Sequence, residues 1–163
     1  IQDQRVIFYL DDKALHSEPV HFYESLNERV CLLKLIPSMD AKVLTCLSSH
    51  YDAVIIESFG VGGLPYYESG DFQKAIEQWI KAGKTVVMTT QVTNEGSNMS
   101  VYEVGRSIKQ ELGLLEAYDM TLEATVTKLM WILGQTKDPA QIRQMFYQTI
   151  GRDMLYTSAS ALS

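Results

Sequence analysis

Three stretches concentrate the side chains that could do chemistry in this chain. Glu57 and Ser58 lead into the glycine-rich run Gly60, Val61, Gly62 and Gly63, closed by Pro65. Thr89, Thr90 and Gln91 lead into Asn94, Glu95, Asn98 and Tyr102. The third stretch is Pro37–Asp40. Hydroxyls, amides and carboxylates of this kind suit hydrogen bonding to a small polar ligand. They do not compose a nucleophile with its base, and no Ser-His-Asp or Cys-His set is visible. Ligand spacing for a metal is also missing, so neither metal nor cofactor is expected. GVGG is not a dinucleotide fingerprint, because the GxGxxG spacing is absent and helical periodicity resumes only near Asp71. His50 stands beside Tyr51 ahead of the central strand, at the far end from these loops, and His16 and His21 share no helical face. The chemistry alone describes a binding or assembly domain, with no catalytic residue to name.

The elements that position these loops follow from periodicity. Val54, Ile55 and Ile56 form a β-branched run without internal period, as in a parallel strand buried on both faces. Glu57 then falls at its carboxyl end, where open α/β sheets hold ligands and partners. Arg5–Leu10, Val30–Ile36 and Lys84–Thr90 read as further strands. Ser38 or Asp40 can cap a helix carrying Val43, Leu44 and Leu47. Asp71 reads as the N-cap of a helix with Phe72, Ile76, Trp79 and Ile80 at helical spacing, closed by Gly83. Glu103–Leu112 can be a helix stopped by Gly113. Thr121 caps the longest one, whose stripe is Leu122, Val126, Leu129, Met130 and Leu133, with Gly134 ending it. Asp138 followed by Pro139 starts the last helix, with Ile142, Met145, Phe146 and Thr149 facing inward. Alternating strands and helices predict an α/β fold: a three-layer α/β/α domain on a small, mostly parallel sheet of about four strands.

At 163 residues the chain can form one domain burying roughly 70% of its unfolded surface. Hydrophobic content of 46% and charged content of 21% are those of an ordinary globular protein. A net charge of −6 argues against nucleic acid or an anionic membrane as partner. No run reaches membrane-spanning length. Cys31 and Cys46 read as buried free thiols in a reducing compartment, which points to the cytoplasm. The chain opens at Ile1 without methionine, as a fragment of a longer protein would. Residues 1–29 are expected to form a linker and first strand, 30–151 the α/β domain, and 152–163 a tail that frays.

Three runs together resemble a known family: AVIIESFGVGGLP, KTVVMTTQVTNEGSNMSVYEVG and YDMTLEATVTKLMWILG. They are similar to the carboxyl-terminal domain of bacterial L-asparaginases, above all the cytoplasmic, type I kind. LLKLIPSMD fits the family's LxxxPG-like segment, with Ser38 where glycine is usual. The resemblance covers Val30 to Gly151.

This resemblance implies an asparaginase C-terminal-domain-like fold and a share in hydrolysing L-asparagine to L-aspartate and ammonia. In the family, a threonine nucleophile assisted by a tyrosine and a Thr-Asp-Lys set lies in the amino-terminal domain, so this chain alone is expected to be inactive. The carboxyl-terminal domain builds a homodimer or tetramer and lends loop residues to the partner's active site. Gly63 stands where the family usually has asparagine, and Tyr102 where periplasmic relatives have glutamate. Some type I enzymes bind a regulatory asparagine through an arginine and a TQC segment. Here those positions hold Glu57, Thr90, Gln91 and Val92, and a glutamate cannot pair with a ligand carboxylate. Dimerisation is expected through Glu57–Pro65 and Asn94–Tyr102. The competing readings are the asparaginase-like subunit of a glutamyl-tRNA(Gln) amidotransferase, which shares this domain, and a free-standing asparagine-sensing module.

Overall fold

In a computed structural model of the chain, the structure describes residues 20–65, 70–92, 96–101 and 113–155. The expected strand Arg5–Leu10 and helix Glu103–Leu112 lie outside these residues, as does Tyr102. Four strands form one parallel sheet in the order β1 (Val30–Lys34), β2 (Ala53–Ser58), β3 (Thr85–Thr90) and β4 (Leu115–Glu116). Every strand is added on the same side of the last, so the first two connecting helices share a face. These are α1 (Lys42–Ser48) and α2 (Asp71–Lys81). Leu44, Phe72, Ile76 and Trp79 pack there against Leu33, Val54, Ile56 and Met88. Two later helices, α3 (Leu122–Gln135) and α4 (Pro139–Tyr147), cover the other face. They bring Leu129, Ile132, Ile142 and Phe146 against Ala53, Ile55, Val87 and Leu115. The three-layer α/β/α architecture expected from the strand and helix alternation is therefore the observed one.

β2 is buried over Ala53–Ile56 on both faces, which explains its unbroken apolar run. Short β4 escapes the sequence reading because two residues carry no period. Asp40 Oδ1 accepts from the Lys42 N–H at 2.8 Å, as an acceptor ahead of α1 should, whereas Ser38 adopts a positive φ of 66°. α2 begins one residue early: Gly70, at φ 61°, is the N-cap and Asp71 is already helical. Thr121 and Asp138 cap α3 and α4 as expected, accepting from the Ala124 and Ala140 N–H groups.

The stripe on α3 differs from the expected one. Leu129 and Leu133 are buried, but Thr125, Lys128 and Ile132 complete the buried face, while Val126 and Met130 are only half-buried. Polar residues occupy these positions because each is satisfied there. The Thr125 hydroxyl donates to Thr121 O at 2.9 Å. Lys128 Nζ lies 2.7 Å from Asp153 Oδ2 and donates to Gln148 O. Gly134 does not end α3, which runs one residue further. Thr149 is exposed and past the end of α4. The chain does not fray directly after Gly151, since Met154 is buried and the Leu155 N–H donates to Asp119. Cys31 is half-buried and Cys46 exposed, so only the first fits the expectation of a buried thiol; both are free. Burial pushes the Cys31 thiol up to about 11.

Candidate functional site: loops at the carboxyl ends of the strands

The three loop stretches converge where β1, β2 and β3 end, and backbone carbonyls hold them together. Gln91 is the hub. Its Nε2 donates to Leu35 O at 2.8 Å and to Glu57 O at 3.1 Å, tying the ends of three strands to one amide. Its backbone N–H donates to Ser58 O. The Thr90 hydroxyl donates to Gly60 O and accepts from the Val92 N–H at 2.9 Å. Ser58, fully buried, donates from Oγ to Thr89 O at 2.6 Å.

The glycine-rich loop is a tight turn. Phe59 and Gly63 exchange backbone hydrogen bonds in both directions, with Gly63 N–H to Phe59 O at 2.7 Å. A Cβ at Gly63 would stand 3.1 Å from Phe59 O, so the turn closes best without a side chain. Gly62 has φ 150°, and a Cβ there would come within 3.1 Å of Met99 Cα. Glycine is needed at this position for both backbone conformation and space. The Asn98 N–H donates to Val61 O, so the loop after β3 rests directly on the loop after β2.

Glu57 is not free to meet a ligand. Its Oε1 lies 3.0 Å from Lys34 Nζ, its partner in the strand register, and its side chain is 12% exposed. In the sequence Lys34 is only an interruption of the β1 apolar run; the register Lys34↔Glu57 gives it this second meaning. Of the five site residues expected from sequence, Glu57, Thr90, Gln91 and Gly63 come together here, and Tyr102 lies outside the described residues. Sequence reading misses Glu116. Buried at the end of β4, it accepts the Met99 N–H at 2.7 Å and so holds the strand-end loop against the glycine turn.

The arrangement can present backbone groups and polar side chains to something docked on this end of the sheet. Among the described residues no cluster of three or more His, Cys, Asp or Glu could hold a metal ion, and no helix is long and apolar enough to cross a membrane. A cavity of about 220 Å³ opens at the opposite, amino-terminal end, lined by Asn27, Asp52, Lys84, Thr85, Lys137 and Ile142 among others. Its charges are mostly engaged. Lys84 Nζ donates to Ser48 O and Tyr51 O. Asp52 accepts from Asn27 and pairs with Arg29 at 3.3 Å. The Asn27 hydrogen bond, aided by Arg29, holds the Asp52 carboxyl below its ordinary range despite some opposing desolvation.

The fold is of the parallel α/β/α class, with strand-end loops that lock onto each other. Comparison with known proteins gives that class its family. The sequence model of the glutaminase/asparaginase C-terminal domain matches residues 29–146. The chain therefore belongs to that family. It is similar to an L-asparaginase of Thermococcus kodakarensis, 36% identical over 139 residues, covering 85% of this chain and 41% of the relative. A glutamyl-tRNA(Gln) amidotransferase subunit from Metallosphaera sedula is 35% identical over 136 residues, covering 83% of this chain and 30% of the relative. Among solved structures, the thermostable L-asparaginase of Thermococcus kodakarensis superposes with a TM-score of 0.74 at 33% identity, over 87% of this chain and 44% of that one. The chain thus spans less than half the length of the relatives it matches.

Proposed function

We propose that this chain is the carboxyl-terminal domain of an L-asparaginase of the cytoplasmic, type I kind, contributing to hydrolysis of L-asparagine to L-aspartate and ammonia. The observation that carries the reading is the interlocked loop cluster at the carboxyl ends of the strands, in a chain that matches this family over residues 29–146. A hydroxyl is a weak nucleophile until a neighbouring base takes its proton. That chemistry is assigned to an amino-terminal domain outside these residues. The role left to this chain is to form a homodimer through Glu57–Pro65 and 94–102 and to set loops beside the partner's active site. The relatives named above are archaeal, so no bacterial origin is carried into the proposal.

The deciding assay is ammonia release from L-asparagine. The chain alone should release none, and supplying an asparaginase amino-terminal domain should restore turnover. Activity of the chain alone would overturn the division of labour. Placing a charge at Leu64, which packs against the core beside the glycine turn, should give a monomer; an unchanged sedimentation coefficient would contradict the proposed interface.

The match to the amidotransferase relative supports a second reading, in which the assembled protein acts on amide donors only with charged tRNA. Turnover of asparagine without tRNA counts against it. A stand-alone asparagine sensor is disfavoured by the Lys34–Glu57 pair, which already satisfies the carboxylate such a site would offer.

A further inference from the structure

Residues 20–29 have no regular structure and carry large exposed apolar side chains, including Phe22 at 87% exposure. They are nevertheless fixed on the far side of the domain from the loop cluster. The Asn27 N–H donates to Met130 O at 2.9 Å. Gln135 Nε2 donates to Ser25 O at 2.7 Å. The Tyr23 ring stands edge-on to Trp131, with centroids 5.0 Å apart at 85°. Asn27 also anchors to Asp52, and its Oδ1 accepts the Arg29 N–H at 2.8 Å. The closest approach is at Gly134. A Cβ there would run into Ser25 O, 2.7 Å from Ser25 C and 3.0 Å from Leu26 Cα. These are backbone atoms and cannot swing aside. Gly134 is inside α3 with no positive φ, so its conformation does not call for glycine. Helix propensity argues against glycine there, and the only demand that explains it is room for the crossing chain.

We propose that residues 23–27 and the last turns of α3 form a clasp, seated on Gly134, that fixes the direction from which the chain enters β1. The clasp converts what sequence reads as a linker into a strut. Residues 23–29 are then held on one path across α3 into β1. Gly134 and Gln135 are positioning residues in this device and touch no reacting group. The inference rests on geometry alone and stands whether or not the asparaginase reading does.

The test uses the whole chain and two variants, Gly134→Ala and Gln135→Leu, read by hydrogen exchange of the Asn27 amide and by chymotrypsin cleavage after Tyr23. An alanine in an ordinary helix interior raises stability. Here Gly134→Ala should instead speed Asn27 exchange and Tyr23 cleavage by roughly tenfold or more, by populating the open segment, without raising the melting temperature. A higher melting temperature with unchanged exchange would overturn the proposal, since Gly134 would then be a replaceable helix residue. If Gly134→Ala fails to fold, Gln135→Leu decides. It removes the tether to Ser25 together with an exposed hydrogen bond to Trp131 O within the helix, and should speed cleavage roughly threefold or more with the melting temperature nearly unchanged. Unchanged cleavage in that variant would overturn the clasp.

Discussion

Gly62 and Gly134 both let two backbones meet, at opposite ends of the sheet, but for different reasons. Gly62 sits in a turn at φ 150°, with Met99 packed against it. It answers a conformational demand and a steric one at once. Gly134 is helical and answers only the steric demand of the chain crossing over it. Around Gly62 the neighbours are held by side chains that donate to carbonyls, namely Ser58, Thr90 and Gln91. Around Gly134 the crossing chain is held by the Gln135 amide, the Asn27 N–H and the Tyr23–Trp131 contact, and the missing side chain gives it room. One glycine serves a turn as well as a contact, the other a contact alone.

Four substitutions sharpen that contrast. The largest effect belongs to Gly62→Ala, which combines a disfavoured φ with the Met99 clash and should cost roughly 3 kcal/mol; denaturant unfolding would show it as a lower midpoint. Ser58→Ala removes a buried hydroxyl that donates to Thr89 O, for a loss of roughly 1.5 kcal/mol by the same measurement. Gly134→Ala should cost roughly 1 kcal/mol, opposite in sign to the gain expected of alanine in a helix. If it stabilises, the two ends of the domain are not built on different principles.

The smallest effect is at Asp52, 39% exposed on its side chain. Its folded-state pKa is depressed by Asn27 and Arg29. The associated stability is therefore present above the unfolded carboxyl value of about 4 and is lost as pH falls through the lower folded value. Asp52→Asn should cost only about a few tenths of a kcal/mol at neutral pH, because solvent screens the pair. It should also flatten the acid limb of a melting-temperature profile below about pH 4. A wild-type profile no steeper than the variant's there would show that the Asn27–Asp52 anchor adds nothing to the clasp.

The same contrast explains what the sequence discloses. The β2 run, the caps at Thr121 and Asp138 and the loops at the strand ends follow from local rules, because each depends on neighbours in the chain. Gly62 announces itself within a glycine run after a strand. Gly134 reads as a helix terminator, because the residue that needs its space, Ser25, is more than a hundred positions earlier. Lys128 is missing from the expected α3 stripe for a similar reason: its partner, Asp153, lies beyond the next helix. Glu57 is legible as a strand-end residue, but its commitment to Lys34 requires the sheet register. Contacts set by tertiary packing are the ones a linear reading misplaces.

The order in which the strands join the sheet has a consequence for how the protein is made. β1, β2 and β3 leave the ribosome with α1 and α2, so one face of the sheet can be covered as it forms. The other face, with Ala53, Ile55 and Val87, waits for Leu129, Ile132, Ile142 and Phe146. At roughly 5–20 residues per second, translation from Thr90 to Tyr147 leaves that face bare for several seconds. During that interval the nascent chain is a half-built sandwich with a greasy side, the form most exposed to chaperones and to mispairing with its own copies.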